Sequence, residues 1–516
     1  MPAHGPCDVR SAGPCSCTPA PARKCAPGGL RRERCSRELF VPAANAETED
    51  ANRGPGKAEG VTVTDPGVTR RAIGAAAIGN ITEWFDFGVF ANLTPVLTAV
   101  FFTGASETVG TIGTLGLFAV AFLVRPIGGM FFGPLGDRIG RTKVLSLTVI
   151  LMAIGTFAIA FIPGYETWGP AAPLLMLLAR LVQGFSTGGE YGGAMTFIAE
   201  YAPDKKRGFL GSWLEFGTLT GYLLGGVAGL VIQLPGVMSH DDLLSWGWRI
   251  PFLISGPIGI IGLYLRLKLE DTPAFQAVVA ESEGREGNQT LKEIRKIFVT
   301  YWRPMLICMG LVLVFNVTNY MLTTYMLEYI GKFAPSVSAT WAQLLEIAVL
   351  ALGMVLITFV GRLSDRIGRK PVLYFGCAML VVLGVPSVLL IQQNTLLTVF
   401  LGLGLMSLML LCFNSTVPST LPALFPTEVR YGGLSIAFNL SVSLFGGTTA
   451  FFNALLVQAT GDVNVPGYYL MAAGAIGAVA CWFAAESAGR PLPGSAPAVE
   501  TEAEARELTS AGAGRD

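Results

Sequence analysis

Apolar runs of about 20 residues recur between Arg71 and Glu486, and they limit the chain to very few folds. A helix needs roughly 20 apolar residues to cross the hydrocarbon core of a bilayer, which is about 30 Å thick. Of the 516 residues, 52% are hydrophobic and only 14% are charged, whereas soluble domains carry about 25% charged residues. The runs do not alternate polar with apolar residues, as a membrane-spanning barrel would require. The sequence therefore predicts an all-α membrane protein.

The positions of the runs predict twelve transmembrane helices in two six-helix halves. The N-terminal half (69–267) has spans at 72–100, 109–134, 144–163, 172–197, 208–234 and 248–267. The C-terminal half (304–486) has spans at 304–328, 339–361, 371–391, 396–424, 432–457 and 466–486. The charged residues 268–303 between the halves predict a cytoplasmic linker with an amphipathic helix.

Both ends of the chain lack an apolar period. Residues 1–68 are rich in Pro, Ala, Gly, Arg and Glu, which predicts a disordered head. An alternative for this head is that translation begins near Val61. Residues 487–516 are rich in Pro, Ala and Glu and predict a disordered cytoplasmic tail.

Every second loop is basic, which sets the expected orientation in the membrane. Lysine and arginine concentrate near residues 138–143, 205–207 and 362–370, whereas the intervening loops carry almost none. Basic loops face the cytoplasm, so we expect both termini there. The expected location is the cell membrane, which the chain crosses many times.

Several functional classes find no support in the sequence. The chain has 36 basic and 36 acidic residues, so no net charge attracts nucleic acid. Its only two histidines, His4 and His240, lie outside the spans, and the nine cysteines have no zinc spacing. A nucleotide-binding Gly-x4-Gly-Lys-Ser/Thr motif is also missing. We therefore expect no enzyme activity, no metal, no cofactor and no obligate protein partner.

A basic loop motif occurs once in each half. GPLGDRIGRTK at 133–143 is echoed by GRLSDRIGRK at 361–370. Arg207 and Arg430 are separated by nearly the same number of residues as the two copies of this motif. Carboxylates in these loops can pair with arginines or cap a neighbouring helix, so that breaking the contacts lets the halves rock. The alternative is that the basic residues only set topology. The predicted gating residues are Gly136, Asp137, Arg138, Gly140, Arg141, Asp365, Arg366, Gly368 and Arg369.

The doubled loop motif, together with RLVQGFSTG at 180–188, resembles the major facilitator superfamily. GNITEWFDF at 79–87, GGEY at 188–191, WGWRIP at 246–251 and EDTP at 270–273 resemble its metabolite:proton symporter family. Within that family, the segments 208–217, 316–325 and 420–427 are most similar to osmoprotectant transporters. Some of those proteins end in a coiled coil, but residues 487–516 have no sustained heptads, so osmotic control through such a tail is not expected.

The resemblance implies symport of a small zwitterion, such as proline or glycine betaine, with protons by alternating access. One alternative is a proton symporter of the same family for an organic acid, such as a dicarboxylate or a shikimate-like acid. A second alternative is a membrane sensor that binds solute without moving it. In each case the partners are a small solute and the lipid bilayer, and in the first two a proton is the coupling ion.

In similar symporters an Asp on the first helix faces an Arg on the fourth. On that resemblance we predict that Asp86 carries the proton and that Arg180 is its partner. Glu83 lies three residues earlier, on nearly the same helix face, and could hold the proton instead. The alternative for Asp86 and Arg180 is a permanent ion pair that only fixes helix packing.

A zwitterion needs a donor for its carboxylate and aromatic faces for its cationic nitrogen. Aromatic residues in membrane helices also serve as packing groups or interface anchors, which is the alternative for each of them. The predicted substrate-binding residues are Trp84, Phe87, Glu190, Tyr191, Trp213, Glu215, Tyr320 and Tyr325. For Glu190 and Glu215 the alternative is a role in packing or hydrogen bonding. Arg125 and Glu346 also lie inside spans, and the sequence assigns them no role.

Overall fold

The structure is a computed structural model that describes residues 57–58, 61–139, 141–234, 236–267, 297–427 and 429–513. Residues 1–56 of the head and residues 268–296 of the linker lie outside the described residues, so the predictions of disorder and of an amphipathic helix there remain predictions.

The N-terminal half is a succession of helices. They are α1 (Pro66–Asn92), α2 (Thr94–Phe101), α3 (Glu107–Leu123), α4 (Arg125–Ile139), α5 (Arg141–Ile159), α6 (Tyr165–Trp168), α7 (Ala171–Thr187), α8 (Tyr191–Tyr201), α9 (Arg207–Gln233), α10 (His240–Asp242) and α11 (Arg249–Leu267). A 3-10 turn, Asp204–Lys206, precedes α9, and a π-helical turn, Leu243–Gly247, follows α10.

The C-terminal half is likewise a succession of helices. Its helices are α12 (Trp302–Tyr320), α13 (Met326–Phe333), α14 (Ala339–Ile367), α15 (Arg369–Gln392), α16 (Leu396–Thr420), α17 (Arg430–Phe445), α18 (Thr448–Thr460) and α19 (Val465–Phe483). A π-helical turn, Met321–Tyr325, joins α12 to α13, and a 3-10 turn, Pro422–Leu424, follows α16.

The helices lie in succession where the sequence predicts the twelve spans. Among the described residues, eight helices are long and apolar enough to cross a membrane, or nine when the bent pair α1 and α2 counts as one span. Large apolar side chains such as Trp482 (74% exposed) and Ile260 (69% exposed) point outward, where lipid would cover them. The fold prediction, an all-α membrane protein, is confirmed.

Several predicted continuous spans are in fact interrupted. α1 and α2 meet at 65°, because Pro95 at the start of α2 cannot donate a backbone hydrogen bond to the preceding turn. Pro126 likewise follows the break between α3 and α4, and paired glycines lie at the breaks between α7 and α8 and between α17 and α18. Interruptions of this kind are common at the ligand sites of transporters, since they free backbone groups for binding.

The backbones of the two halves approach closely where α9 crosses α14. A Cβ added to Gly208 would lie 2.8 Å from the Gly361 carbonyl oxygen, and one added to Gly361 would lie 2.9 Å from the Gly208 carbonyl oxygen. Side chains at either position would push the helices apart, so the crossing requires glycine at both.

The tail differs from the disorder that its composition predicts. Residues 484–513 are ordered and form β3 (Ala498–Val499) and α20 (Glu502–Ala513). β3 pairs in parallel with β2 (Val61–Val63), which pairs antiparallel with β1 (Lys57–Ala58). Residues 61–68 of the predicted disordered head are therefore ordered as well. The order comes from backbone pairing and from hydrogen bonds to buried arginines, neither of which leaves an apolar period in the sequence. We call the side of the bundle that contacts residues 484–513 the terminal face.

Candidate functional site

Aromatic rings from both halves meet near the middle of the bundle. Trp84, midway along the first span, is 5% exposed, and its ring centroid lies 6.2 Å from that of Tyr191 and 6.3 Å from that of Tyr320. These separations are typical of favourable aromatic pairs. The central aromatic cluster comprises Trp84, Phe87, Phe118, Phe122, Tyr191, Tyr222, Tyr320 and Phe438. It joins α1, α3, α8, α9, α12 and α17, so it spans the boundary between the halves.

A buried cation lies against this cluster. The Arg125 guanidinium carbon lies 4.3 Å from the centroid of the Phe122 ring and 5.1 Å from that of Phe87. The break between α3 and α4 places it there, since Arg125 is the first residue of α4. The side chain is 1% exposed, and its Nε and Nη2 have no hydrogen-bond partner among the described residues.

Three carboxylates face the same region. Glu83, Glu215 and Glu346 are each at most 2% exposed. Glu83 and Glu215 lie near the Tyr320 hydroxyl, as Arg125 does, and Glu346 lies near the Tyr222 hydroxyl. The centre therefore combines one cation, several acids and aromatic faces. That combination is electrostatically complementary to a small molecule with both charges.

A second polar group lies beside the cluster, within the N-terminal half. Thr156 donates a hydrogen bond to Asp86 Oδ2, and Gln183 Nε2 donates to Thr156 Oγ1 at 2.5 Å. Arg180 Nη1 in turn donates to Gln183 Oε1 at 3.0 Å, and its guanidinium lies 3.5 Å from the centroid of the Phe90 ring. Asp86 and Arg180 are thus linked through two neutral side chains, a relay that we call the Thr156–Gln183 bridge.

Asp86 also lines a cavity together with Glu83 and Glu190. The cavity lies between α1, α5 and α11 at the break between α7 and α8, and Ser255 supplies a hydroxyl to it. The sequence predicts that Glu190 binds substrate, but the structure places it with the two carboxylates predicted to carry the proton. A cavity lined by three carboxylates is suited to proton exchange.

Two predicted substrate residues lie apart from the central aromatic cluster. Trp213 packs against Phe216 of its own helix at 4.9 Å, and Tyr325 packs against Tyr329 at 6.0 Å. Sequence reasoning in turn does not single out Thr156, Gln183, Tyr222, Phe118, Phe122 and Phe438. Of these, only Gln183 carried a local signal, since it follows Arg180 by three residues within the fourth-span motif.

The second loop motif reaches across the halves. Asp365 accepts hydrogen bonds from the backbone N–H groups of Gly208 (2.7 Å) and Phe209 (2.8 Å), at the start of α9. Arg369 is buried and donates to the Ser419 carbonyl oxygen at 2.9 Å, whereas Arg366 is exposed. Gly368 has a φ of +100°, which strongly favours glycine at this turn between helices.

The first loop motif cannot be compared in the same way. Gly140 lies outside the described residues, and the structure describes neither the surroundings of Gly136 nor the side chains of Asp137, Arg138 and Arg141. Their gating role, like that of the second loop, stays a prediction.

The chain is similar to known transporters over most of its length. Residues 72–496 match the family profile described as "Sugar (and other) transporter". The chain is 46% identical to the proline/betaine transporter of Escherichia coli K12 over 87% of this chain and 90% of that protein. It is also 46% identical to the glycine betaine/proline/ectoine/pipecolic acid transporter of Dickeya dadantii, over 87% and 89% of the two chains.

Among solved structures, the major facilitator proton:xylose symporter bound to 6-bromo-6-deoxy-D-glucose superposes with a TM-score of 0.68. It is 20% identical and covers 83% of this chain and 98% of its own, and this likeness establishes the fold. The chain therefore belongs to the sugar (and other) transporter family, within the major facilitator superfamily, and is a multi-pass membrane transporter rather than an enzyme.

Proposed function

We propose that this transporter carries a small zwitterionic osmolyte, such as glycine betaine or proline, together with protons. The observation that carries the proposal is the central aromatic cluster, which holds a buried cation and lies beside buried carboxylates. The printed names of the relatives supply the substrate class, since both name betaine and proline.

The cluster fits such a substrate chemically. A quaternary or secondary ammonium gains about 0.5–2 kcal/mol over an aromatic face, and more when water is excluded. Trp84, Tyr191 and Tyr320 are each at most 5% exposed, so a cation among them would be desolvated. A small substrate that carries both an ammonium group and a carboxylate has no net charge, so its binding would add no net charge to the buried site. This matching supports zwitterions over simple cations or anions.

Proton coupling follows from the second polar group. Arg180 keeps its charge, whereas a carboxylate at Asp86 can hold or release a proton. Asp86 and Trp84, which belongs to the substrate region, both lie on α1. Protonation of Asp86 would weaken its link to the Thr156–Gln183 bridge and free α1 to move with the bound solute. The coupling ion in this scheme is the proton, and no further cofactor takes part.

Alternating access would occur between the two halves. We propose that the terminal face is cytoplasmic, in keeping with the basic loops on this side. There Asp365 and Gly208 hold the C-terminal half against α9. Opening this contact would release substrate inward, and re-forming it would return the empty carrier.

The test is uptake of radiolabelled glycine betaine and proline into proteoliposomes, with and without an inward proton gradient. We expect accumulation above the external concentration with the gradient, and its collapse when an ionophore removes the gradient. Equilibration without accumulation would identify a facilitator instead of a symporter. Absence of uptake for both solutes would refute the assignment to osmolytes.

A further inference from the structure

We infer that Arg125 binds the carboxylate of the transported zwitterion. The inference rests on the proposed function and adds to it the residue that selects for the acidic group. Three observations carry it: the burial of the guanidinium, its free donors, and its position against the central aromatic cluster.

A buried guanidinium without hydrogen-bond partners is costly. Arg125 is 1% exposed, and its Nε and Nη2 have no acceptor among the described residues. No described carboxylate lies within ion-pair distance of it. Charged side chains at membrane depth normally have a partner or line a site that supplies one. A substrate carboxylate would satisfy two N–H donors at once, because the guanidinium fork matches its two oxygens.

Position singles out the same residue. Arg125 lies 4.3 Å from the Phe122 ring centroid, and Phe122 lies 5.0 Å from Tyr320. Tyr320 lies 6.3 Å from Trp84. The Phe122 ring thus contacts both the Arg125 guanidinium and Tyr320, one of the rings that would contact the ammonium group of the substrate. In glycine betaine and proline the carboxylate and the nitrogen are separated by one carbon atom, so the substrate needs two adjacent subsites of this kind.

The other deeply buried arginines already have acceptors. Arg180 donates to Gln183, Arg369 to the Ser419 carbonyl, and Arg430 to Glu200 at 3.0 Å. Arg207 donates to Asp204 at 2.5 Å. Arg180 contacts the Thr156–Gln183 bridge, and the other three arginines belong to contacts of the terminal face. Arg180 and Arg369 also have an unpaired Nε and Nη2, but Arg180 lies over Phe90 beside the Thr156–Gln183 bridge and Arg369 lies 3.8 Å from Asp365. Arg125 is therefore the described buried arginine with unpaired donors that lies against the central aromatic cluster.

The test pairs a change in the ligand with a change in the protein. Binding of glycine betaine and of its methyl ester is measured by calorimetry on the purified full chain in nanodiscs, for the native protein and for Arg125→Gln. We expect the native protein to prefer glycine betaine over the ester by about 10- to 100-fold, the range for a charge-assisted bond. In the Arg125→Gln variant the affinities for glycine betaine and its ester should differ by about threefold or less, mainly because glycine betaine binds more weakly.

Arg362→Gln is the matched control, because Arg362 also stacks on a ring, Phe209 at 4.6 Å, but is exposed. It should leave the preference unchanged. If Arg125→Gln keeps the full preference, the inference is wrong while the proposed function stands. If the native protein binds neither glycine betaine nor proline, the proposed function fails and the inference fails with it.

Arg125→Lys covers the case in which the glutamine variant does not fold. Lysine keeps the charge but loses the two-pronged geometry. We expect it to retain a preference for glycine betaine over the ester while binding glycine betaine more weakly. Binding of glycine betaine equal to that of the native protein would contradict the inference.

Discussion

Buried charged side chains lie in two separate places in this transporter. Asp86 and Arg180 lie in the N-terminal half and are linked through neutral side chains, whereas Arg125 lies against rings that join both halves. α1 carries Asp86 and Trp84 two residues apart. Movement of one helix can therefore couple the proton to the solute without direct contact between them.

Replacement of Asp86 by asparagine should separate coupling from transport. Asparagine keeps the shape of the side chain and can still accept from Thr156, but it cannot carry the proton. We expect uptake into proteoliposomes to stop at equal concentrations inside and outside, while exchange of labelled for unlabelled glycine betaine continues. Glu83→Gln is the comparison, since Glu83 lines the same cavity. If Glu83→Gln abolishes accumulation and Asp86→Asn does not, Glu83 carries the proton.

Thr156 should matter through its hydroxyl. It donates to Asp86 and accepts from Gln183, so Thr156→Val breaks both links of the bridge at nearly constant volume. Hydrogen bonds to charged groups contribute about 1.5–3 kcal/mol, so gradient-driven uptake should fall about tenfold or more. Thr156→Ser keeps the hydroxyl and should retain most of the activity. Equal initial rates for the valine and serine variants would show that the bridge has no role.

Sequence reasoning finds the charged residues more readily than their neighbours. Asp86, Glu83 and Arg180 stand out because charge is rare in apolar runs. Thr156 and Phe122 do not, because threonine and phenylalanine are ordinary in membrane helices. Trp213 and Tyr325 look as suitable as Trp84 in the sequence. Which rings meet depends on helix rotation and on the breaks, and a single sequence does not encode these in any local pattern.

At the scale of elements, helix ends form the contacts that hold the terminal face. The start of α9 presents free N–H groups, and Asp365 from the other half accepts two of them. Loss of a capping side chain costs about 0.5–2 kcal/mol, enough to shift a balance between two states by about tenfold. The contact can thus hold the face closed without preventing it from opening.

Asp365→Ala should open the terminal face more often. We expect faster maleimide labelling of a Ser212→Cys probe, in a background without native cysteines, because Ser212 is buried beside Gly361 in this interface. Glu502→Ala is the control, since Glu502 lies on the exposed surface of α20 and has no predicted gating role. Equal labelling rates for the two variants would contradict a gating role for Asp365.

The start of α15 is capped in a way that predicts a pH dependence. Glu486 accepts from the backbone N–H groups of Arg369 (3.1 Å) and Lys370 (3.0 Å), and also from those of Ser487 and Ala488. Partial burial raises the pKa of Glu486, but these four donors lower it by more, so that it lies below its ordinary value. The stabilisation is present above the ordinary glutamate pKa and is lost as pH falls through the lower value.

Glu486→Gln should therefore lower the thermal unfolding midpoint at neutral pH and have a smaller effect near pH 4. The expected cost at neutral pH is about 1 kcal/mol, typical of a lost helix cap whose side chain is partly exposed to solvent. Thermal unfolding in detergent, followed at both pH values, measures it. Glu502→Gln, on the exposed surface of α20, is the control. An equal effect of Glu486→Gln at both pH values would contradict the capping role.

At the scale of the whole molecule, the duplicated motif predicts two halves, and the fold has them. The ordered tail could not be predicted in the same way, because its residues are neither apolar nor periodic. Arg490 and Pro493 act only through backbone carbonyl oxygens, which accept from Arg207 (3.1 Å) and Arg430 (2.7 Å). Any residue supplies a carbonyl, so the sequence holds no signal for this contact.

These carbonyl contacts tie the halves together, because Arg207 belongs to the N-terminal half and Arg430 to the C-terminal half. We expect a chain that ends at Leu492 to unfold at a lower temperature and to label the Ser212→Cys probe faster, since Arg430 loses its bond to Pro493. Arg430 Nη2 would keep only its longer bond to Thr427 Oγ1 (3.2 Å), and a hydrogen bond to a charged group contributes about 1.5–3 kcal/mol.

A chain that ends at Thr501 is the matched control for this truncation. It keeps Pro493 and β3 and removes only α20, whose ion pair from Glu504 to Lys205 (3.1 Å) is exposed. Exposed pairs contribute about 0–1 kcal/mol, and Ala505 of α20 packs on Val61 and Val499 of the small sheet rather than between the halves. Labelling of the Ser212→Cys probe should therefore stay close to that of the full chain. If both truncations leave unfolding and labelling unchanged, the tail does not hold the halves together. If the chain ending at Thr501 is as impaired as the chain ending at Leu492, α20 and not the carbonyl contacts provides the tie.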